Sequence, residues 1–228
     1  RDRSPSRGLG DVYKRQKVPL QSITAYRQAN GWKDYANYYG AEMVVGGITY
    51  WIKEDCAEVA DAESSLTEAN IPSAVEFDGN QYPIIKINDY VFAGNANLTT
   101  VTIEDGLVEI GLDAFRECKN LESVTLPESL ITMGRGAFEF CTSLKIVKIP
   151  SNVTTIPESC FYCCSSLESV IIPEGVMSIG SFAFDSCNLK TLTLPESLTT
   201  LGNSAFRYNQ TLKTVSYTHL TLPTILRV

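Results

Sequence analysis

The chain has 228 residues, 44% of them hydrophobic, enough for one large folded unit or two small ones. Its formal net charge is −7, which argues against nucleic acid or an anionic membrane as partner. Runs of apolar residues all fall short of the roughly 18 that a membrane span needs, and the one histidine, His219, leaves little for metal or general-base chemistry.

In chain order, residues 1–16 read as foreign sequence. Asp11–Gln16 can be encoded by GATGTGTATAAGAGACAG, whose reverse complement, read from its third base, gives Val-Ser-Tyr-Thr-His, the residues Val215–His219. Unrelated protein segments have no physical reason to be reverse complements, and the pair resembles a translated sequencing-library adaptor. The expectation is that 1–16 and 215–228 are non-native tails around a genuine fragment of a longer protein. Without them 13 basic and 24 acidic residues remain, a net charge of −11, and no histidine.

Residues 17–43 predict a short helix, with Ser22 as cap, Ile23, Tyr26 and Ala29 or Asn30 on one face, and Gly31 at its end. Residues 44–83 predict short strands, and Asp78-Gly79 between alternating apolar residues signals a hairpin. This segment reads as an N-terminal β cap, because a stack of coils needs its open edge covered. Within it, the acidic stretch 54–69 is expected to be a loop or an irregular coil.

From residue 84 to 214 a repeat takes over. Phe92, Phe115, Phe138, Phe161, Phe184 and Phe206 are separated by 23, 23, 23, 23 and 22 residues. Three positions after each Phe comes Asn95, Cys118, Cys141, Cys164, Cys187 or Asn209. Leucines follow at Leu98, Leu121, Leu144, Leu167, Leu189 and Leu212, then apolar pairs such as Val101/Ile103 and Val147/Ile149. The pairs alternate with period two, so both members point the same way from a short strand. Pro127, Pro150, Pro173 and Pro195 then stop it, lacking a ladder donor. A second apolar pair, such as Leu130/Met133 or Val176/Ile179, closes each unit. One such unit cannot bury its own apolar face, so the fold class expected is mainly β: a solenoid of about six coils with parallel strands. The residue missing from the fifth repeat falls between Cys187 and Leu189, in a turn where a deletion costs least.

The pattern Leu-x-x-Val-x-Ile-Pro-x-x-Val-x-x-Ile-Gly-x-x-Ala-Phe-x-x-Cys resembles the BspA-like leucine-rich repeat. Pro157 for Gly, Cys160 for Ala and Val91 for Ala are departures that leave the fold intact. The resemblance implies a noncatalytic protein-recognition or adhesion domain, on the surface of or secreted from a bacterial cell. Residues 17–43 resemble the helical tail that closes an upstream array in this family. The other function classes are a structural spacer presenting other domains, and an accessory module of an enzyme whose catalytic domain lies elsewhere.

Chemistry-bearing clusters are few. Cys118, Cys141, Cys164 and Cys187 form one column with thiols about 4.8 Å apart, a line and not a zinc tetrahedron, so they read as a structural thiol ladder. Cys160-Phe-Tyr-Cys163 is a lone CxxC, leaving open a bridge between the two or a reactive Cys163. Glu128, Glu174 and Glu196 read as a solvated turn edge. No catalytic, metal or cofactor set is predicted. The candidate partner face is the outward side of the Val-x-Ile strands: Thr100, Thr102, Ser123, Thr125, Ile146, Lys148, Ser169, Ile171, Thr191 and Thr193. Its β-branched residues suit an exposed sheet with or without a ligand; Ile146, Lys148 and Ile171 make an apolar-basic centre. Phe140, Tyr162, Phe182 and Tyr208, on the Phe turns, are either a second contact edge or flank packing.

Overall fold

The structure, a computed structural model, describes residues 41–216. The expected helix lies outside the described residues, as do tail residues 1–16 and 217–228. The last three residues assigned to the helical segment begin a strand instead.

Antiparallel strands open the described chain: β1 (Ala41–Val45), β2 (Ile48–Ile52) and β3 (Ala57–Ala62). After β4 (Glu68–Ile71), β5 (Ala74–Phe77) and β6 (Asn80–Ile87) form a hairpin through Asp78-Gly79. Both turn residues have positive φ, 50° and 74°, which matches the twist of the flanking strands.

The acidic stretch 54–69 is more ordered than a loop. It contains β3 and the start of β4, and β4 pairs in parallel with β7 (Thr100–Ile103) while β3 pairs in parallel with β6. Ala69 and Ile71 are buried and alternate with exposed Glu68 and Asn70, so β4 carries the Val-x-Ile pattern in a disguised form. The solenoid therefore has about seven turns, one more than the Phe column implies.

Each following turn contributes two short strands. The first series is β7, β9 (Ser123–Thr125), β11 (Ile146–Lys148), β13 (Ser169–Ile171), β15 (Thr191–Thr193) and β17 (Thr214–Ser216). The second is β8 (Glu109–Ile110), β10 (Thr132–Met133), β12 (Thr155–Ile156), β14 (Ser178–Ile179) and β16 (Thr200–Leu201). Val215 and Ser216, assigned to the tail, complete β17 opposite Leu192 and Thr193, because Thr-Val-Ser keeps the alternation.

Both series are interrupted, and each break sits at a departure from the repeat. In the first, β4-β7-β9-β11-β13 form one sheet and β15-β17 another. The shortened fifth repeat lies between β13 and β15, so the deletion does cost a pairing. In the second, the ladder ends at β10 and resumes at β12. In that series the amides of Gly111, Gly134, Gly180 and Gly202 donate to Ile87, Ile110, Ile156 and Ile179 of the preceding coil. Pro157 holds the equivalent place and has no N–H to give. The substitution leaves the coil standing but opens the ladder beside it.

Inside, Phe92 to Phe206 stack in a continuous column, with centroids 4.9–5.4 Å apart and rings within 8° of parallel. The turns that carry them follow one rule. At each of five interfaces three amides, such as those of Asp113, Phe115 and Glu117, donate to carbonyls of the next coil, here Arg135, Ala137 and Glu139. Turning alternate peptide groups the same way requires left-handed φ two residues before and after each Phe. Asp113 (49°), Glu117 (59°), Ser159 (55°), Cys163 (57°), Phe182 (59°) and Ser186 (58°) adopt it.

Candidate functional site

The outward rows of the first series make a ridged, nearly uncharged surface. In register, Thr100 faces Ser123, Thr102 faces Thr125, and Ile146 lies between Ser123 and Ser169. Lys148 pairs with Ile171 on the next strand. Ile146 is 60% exposed and Ile171 55%, although Val147 between them in the register is buried. Strand alternation is the cause: the same backbone that buries Val147 turns its neighbours to solvent. Thr102, Ser123, Thr125, Thr191 and Thr193 are exposed; Thr100 and Ser169 are half-buried.

One sheet thus brings together eight of the ten predicted face residues, Thr100 through Ile171. Thr191 and Thr193 belong to the short sheet beyond the break, where they pair with Thr214 and Ser216. Two members went unrecognised in the sequence. Glu68 and Asn70 on β4 pair with Thr100 and Thr102 and extend both rows by one strand. Their signal was the alternation Glu-Ala-Asn-Ile, weakened by an Ala where the other repeats place Val or Leu.

Ion pairs frame the face. Lys145 Nζ lies 2.7 Å from Glu122, and Lys148 Nζ 2.5 Å from Glu128. A shallow depression between Thr99, Thr100, Glu122, Ser123, Lys145 and Ile146 opens beside the first pair. Glu128 also accepts from the Ser151 amide and hydroxyl, both at 3.0 Å. The hydrogen bond from Lys148, then those from Ser151, pull its carboxyl down to about 2.

The cysteine column faces inward. Cys118, Cys141, Cys164 and Cys187 donate their thiols to the carbonyls of Phe92, Phe115, Phe138 and Phe161, at 3.1–3.2 Å. Asn209 places Nδ2 2.8 Å from the Phe184 carbonyl, the same bond made by an amide. Burial raises the Cys118 thiol to about 12, and those of Cys141, Cys164 and Cys187 well above their ordinary value. Such thiols are neutral and poor nucleophiles at neutral pH. Cys160 and Cys163 are both free, Cys160 buried and Cys163 half-exposed. Among the described residues no cluster of three or more His, Cys, Asp or Glu is arranged to hold a metal ion, and no helix is long and apolar enough to cross a membrane.

On the Phe-turn edge, Phe140 meets Tyr162 edge to face at 5.4 Å. Two coils further, the Arg207 guanidinium lies over the rings of Tyr208 and Phe182, at 4.6 and 5.5 Å. The aromatic group is thus two local clusters, the second with a cation at its centre.

Comparison with known proteins agrees with this architecture. A leucine rich cell surface protein from Faecalibacterium prausnitzii is 28% identical, with a TM-score of 0.60, over 76% of this chain and 54% of its own. The chain thus spans about half the length of that protein. A leucine rich repeat protein of T. pallidum (23% identity, TM-score 0.56, 76% of this chain and 70% of that one) shares the fold. So does the pneumococcal vaccine antigen PcpA (20%, TM-score 0.64, 78% and 50%). No curated protein matches. The family defined as the BspA type leucine rich repeat region matches residues 85–213 in six copies, and the chain belongs to that family.

Proposed function

We propose that this chain is a noncatalytic protein-binding module of a bacterial cell-surface or secreted protein, with an adhesive role. The partner is a protein on a host or neighbouring cell, and the contact surface is the first-series sheet face. The observation that carries this reading is the exposure of Ile146 and Ile171 on either side of Lys148, in rows whose other members are Thr, Ser, and Glu68 and Asn70 at the β4 end. Large aliphatics at more than half exposure on the outer side of a sheet bury little apolar surface within the fold, whereas a partner would cover them. Short hydroxylated residues around them leave a low-relief surface on which many weak contacts can form.

The test is a panel of candidate host and bacterial surface proteins probed with the wild-type chain and with Ile146→Asp/Ile171→Asp. Loss of a wild-type interaction in the variant, with its thermal unfolding unchanged, supports the face as the site. Binding that persists undiminished moves the site elsewhere. A spacer that presents other domains is the second reading, favoured by the Thr positions of the rows, which suit an exposed sheet without any ligand. It requires that the whole panel stay silent.

A further inference from the structure

Arg207 stands out among the cations on the Phe-turn edge. Its Nε donates to Oδ2 of Asp185 at 2.8 Å, and Asp185 is fully buried. The other carboxylate oxygen accepts from the Ser186 hydroxyl at 2.7 Å. With its guanidinium also over Tyr208 and Phe182, the group is held in plane and direction by three neighbours. Among the described residues its two terminal nitrogens have no partner. Arg116, one position after its own Phe like Arg207, lacks this freedom: it lies 3.5–3.7 Å from Glu139 and Glu117.

A guanidinium whose Nε edge is occupied offers its two Nη groups end-on, a fork that fits the two oxygens of a carboxylate. Because the group is already fixed, little rotamer freedom is lost when it binds. The rings beside it add a second chemistry. Tyr208 is 62% exposed, and Tyr162 and Phe140 follow half-exposed on earlier coils. Phe140, Phe182 and Tyr208 all have a φ of 59°, a backbone region that disfavours bulky side chains. The turn geometry imposes that φ in every coil, and Gly94 fills the column of Phe140 and Tyr208 in the first repeat at no strain. Two of these rings, Phe182 and Tyr208, lie at strained positions against the fixed cation, a feature that the fold alone does not require.

We infer that Arg207, with Tyr208, forms a site for a carboxylated sugar within an otherwise neutral glycan. The fork takes the carboxylate, and the exposed ring takes the C–H face of the pyranose. The net charge of −7 disfavours a dense polyanion, so the acidic sugar is an isolated one. This site lies on the Phe-turn edge and stands apart from the protein-binding role assigned to the sheet.

The experiment titrates the full chain with sialyllactose, with a glucuronic-acid disaccharide, with lactose and with the tripeptide Gly-Glu-Gly, read by ligand-observed NMR. The expected result is binding of one or both carboxylated sugars at least about tenfold tighter than lactose or the peptide; which of the two wins identifies the sugar class. Arg207→Lys keeps a cation beside buried Asp185 and removes the fork, so it should lose that tenfold preference while its melting temperature holds. Tyr208→Ala should weaken acidic and neutral sugars alike. If Arg207→Lys unfolds, Asp185→Asn/Arg207→Gln removes both charges together and should lose the same preference. Equal affinity for lactose, equal affinity for the peptide, no binding of either acidic sugar, or full preference in the Arg207 variants overturns the inference.

Discussion

Two of the three backbone ladders along this solenoid, the second strand series and the Phe turns, behave differently at one junction. Between the coils of Phe138 and Phe161 the short strands β10 and β12 do not pair, because Pro157 brings no amide to the ladder. A few residues away the Phe turns cross the same junction intact: Gly136, Phe138 and Phe140 donate to Glu158, Cys160 and Tyr162 at 2.8–3.1 Å. The coils also stay joined through β11 and β13 on the sheet side. Register is thus held redundantly, by three backbone ladders and the side-chain columns between them. One lost rung is a local event.

That contrast can be broken most severely from inside. Phe138 is fully buried and stacked on Phe115 and Phe161, so Phe138→Ala should cost about 3–5 kcal/mol. Urea unfolding would measure it, and a loss under about 1 kcal/mol would mean the column is not what joins the coils. Next comes Gly134→Ala. A Cβ there would sit 2.4 Å from the Gly111 backbone, and an overpacking cost of roughly 1–3 kcal/mol follows, visible as a lower melting temperature. Cys141→Ala should cost about 1 kcal/mol through the lost bond to the Phe115 carbonyl, and Cys141→Ser, which can donate to the same oxygen, should recover much of it.

Pro157→Gly sharpens the comparison from the other side. The added amide can bond the preceding coil for about 1 kcal/mol, while the freer unfolded chain takes back a similar amount. Stability should hardly change, yet the amide at 157 should become protected in hydrogen exchange; an unprotected amide would refute the account of the break. The smallest effect lies on the sheet face. Glu128, held down to about 2 by Lys148 and then Ser151, contributes its full stabilisation above its ordinary value of 4.5 and loses it as the pH falls from there toward 2. Lys148→Ala should return its titration, followed by carboxyl NMR, toward 4.5. The pair is exposed, so salt should mute the effect.

Much of this was legible in the sequence, since a column of six Phe at a near-constant period can be satisfied only by stacking. The Cys column was readable for a related reason: Asn95 and Asn209 occupy the same place, and a small donor facing a carbonyl explains all six. What escaped notice was structure made without the consensus residues. β4 buries Ala69 and Ile71, and its acidic flank masked the alternation. The cost of Pro157 was also missed, because a Gly-to-Pro change looks harmless until the amide of that Gly is seen to be a rung. The setting of Arg207 was out of reach as well: its partners Asp185 and Phe182 lie on the preceding coil, and only their proximity, not their spacing, reveals the group.

The one-way bonding of the Phe turns has an electrical consequence. In the strands, peptide dipoles largely cancel. In these turns three per coil point the same way, amides toward the C-terminal side, as they do along an α-helix but with the opposite polarity relative to the chain. A helix gathers negative charge near its N-terminal end; this spine should favour anions toward its C-terminal side, and every coil in the stack adds to the field.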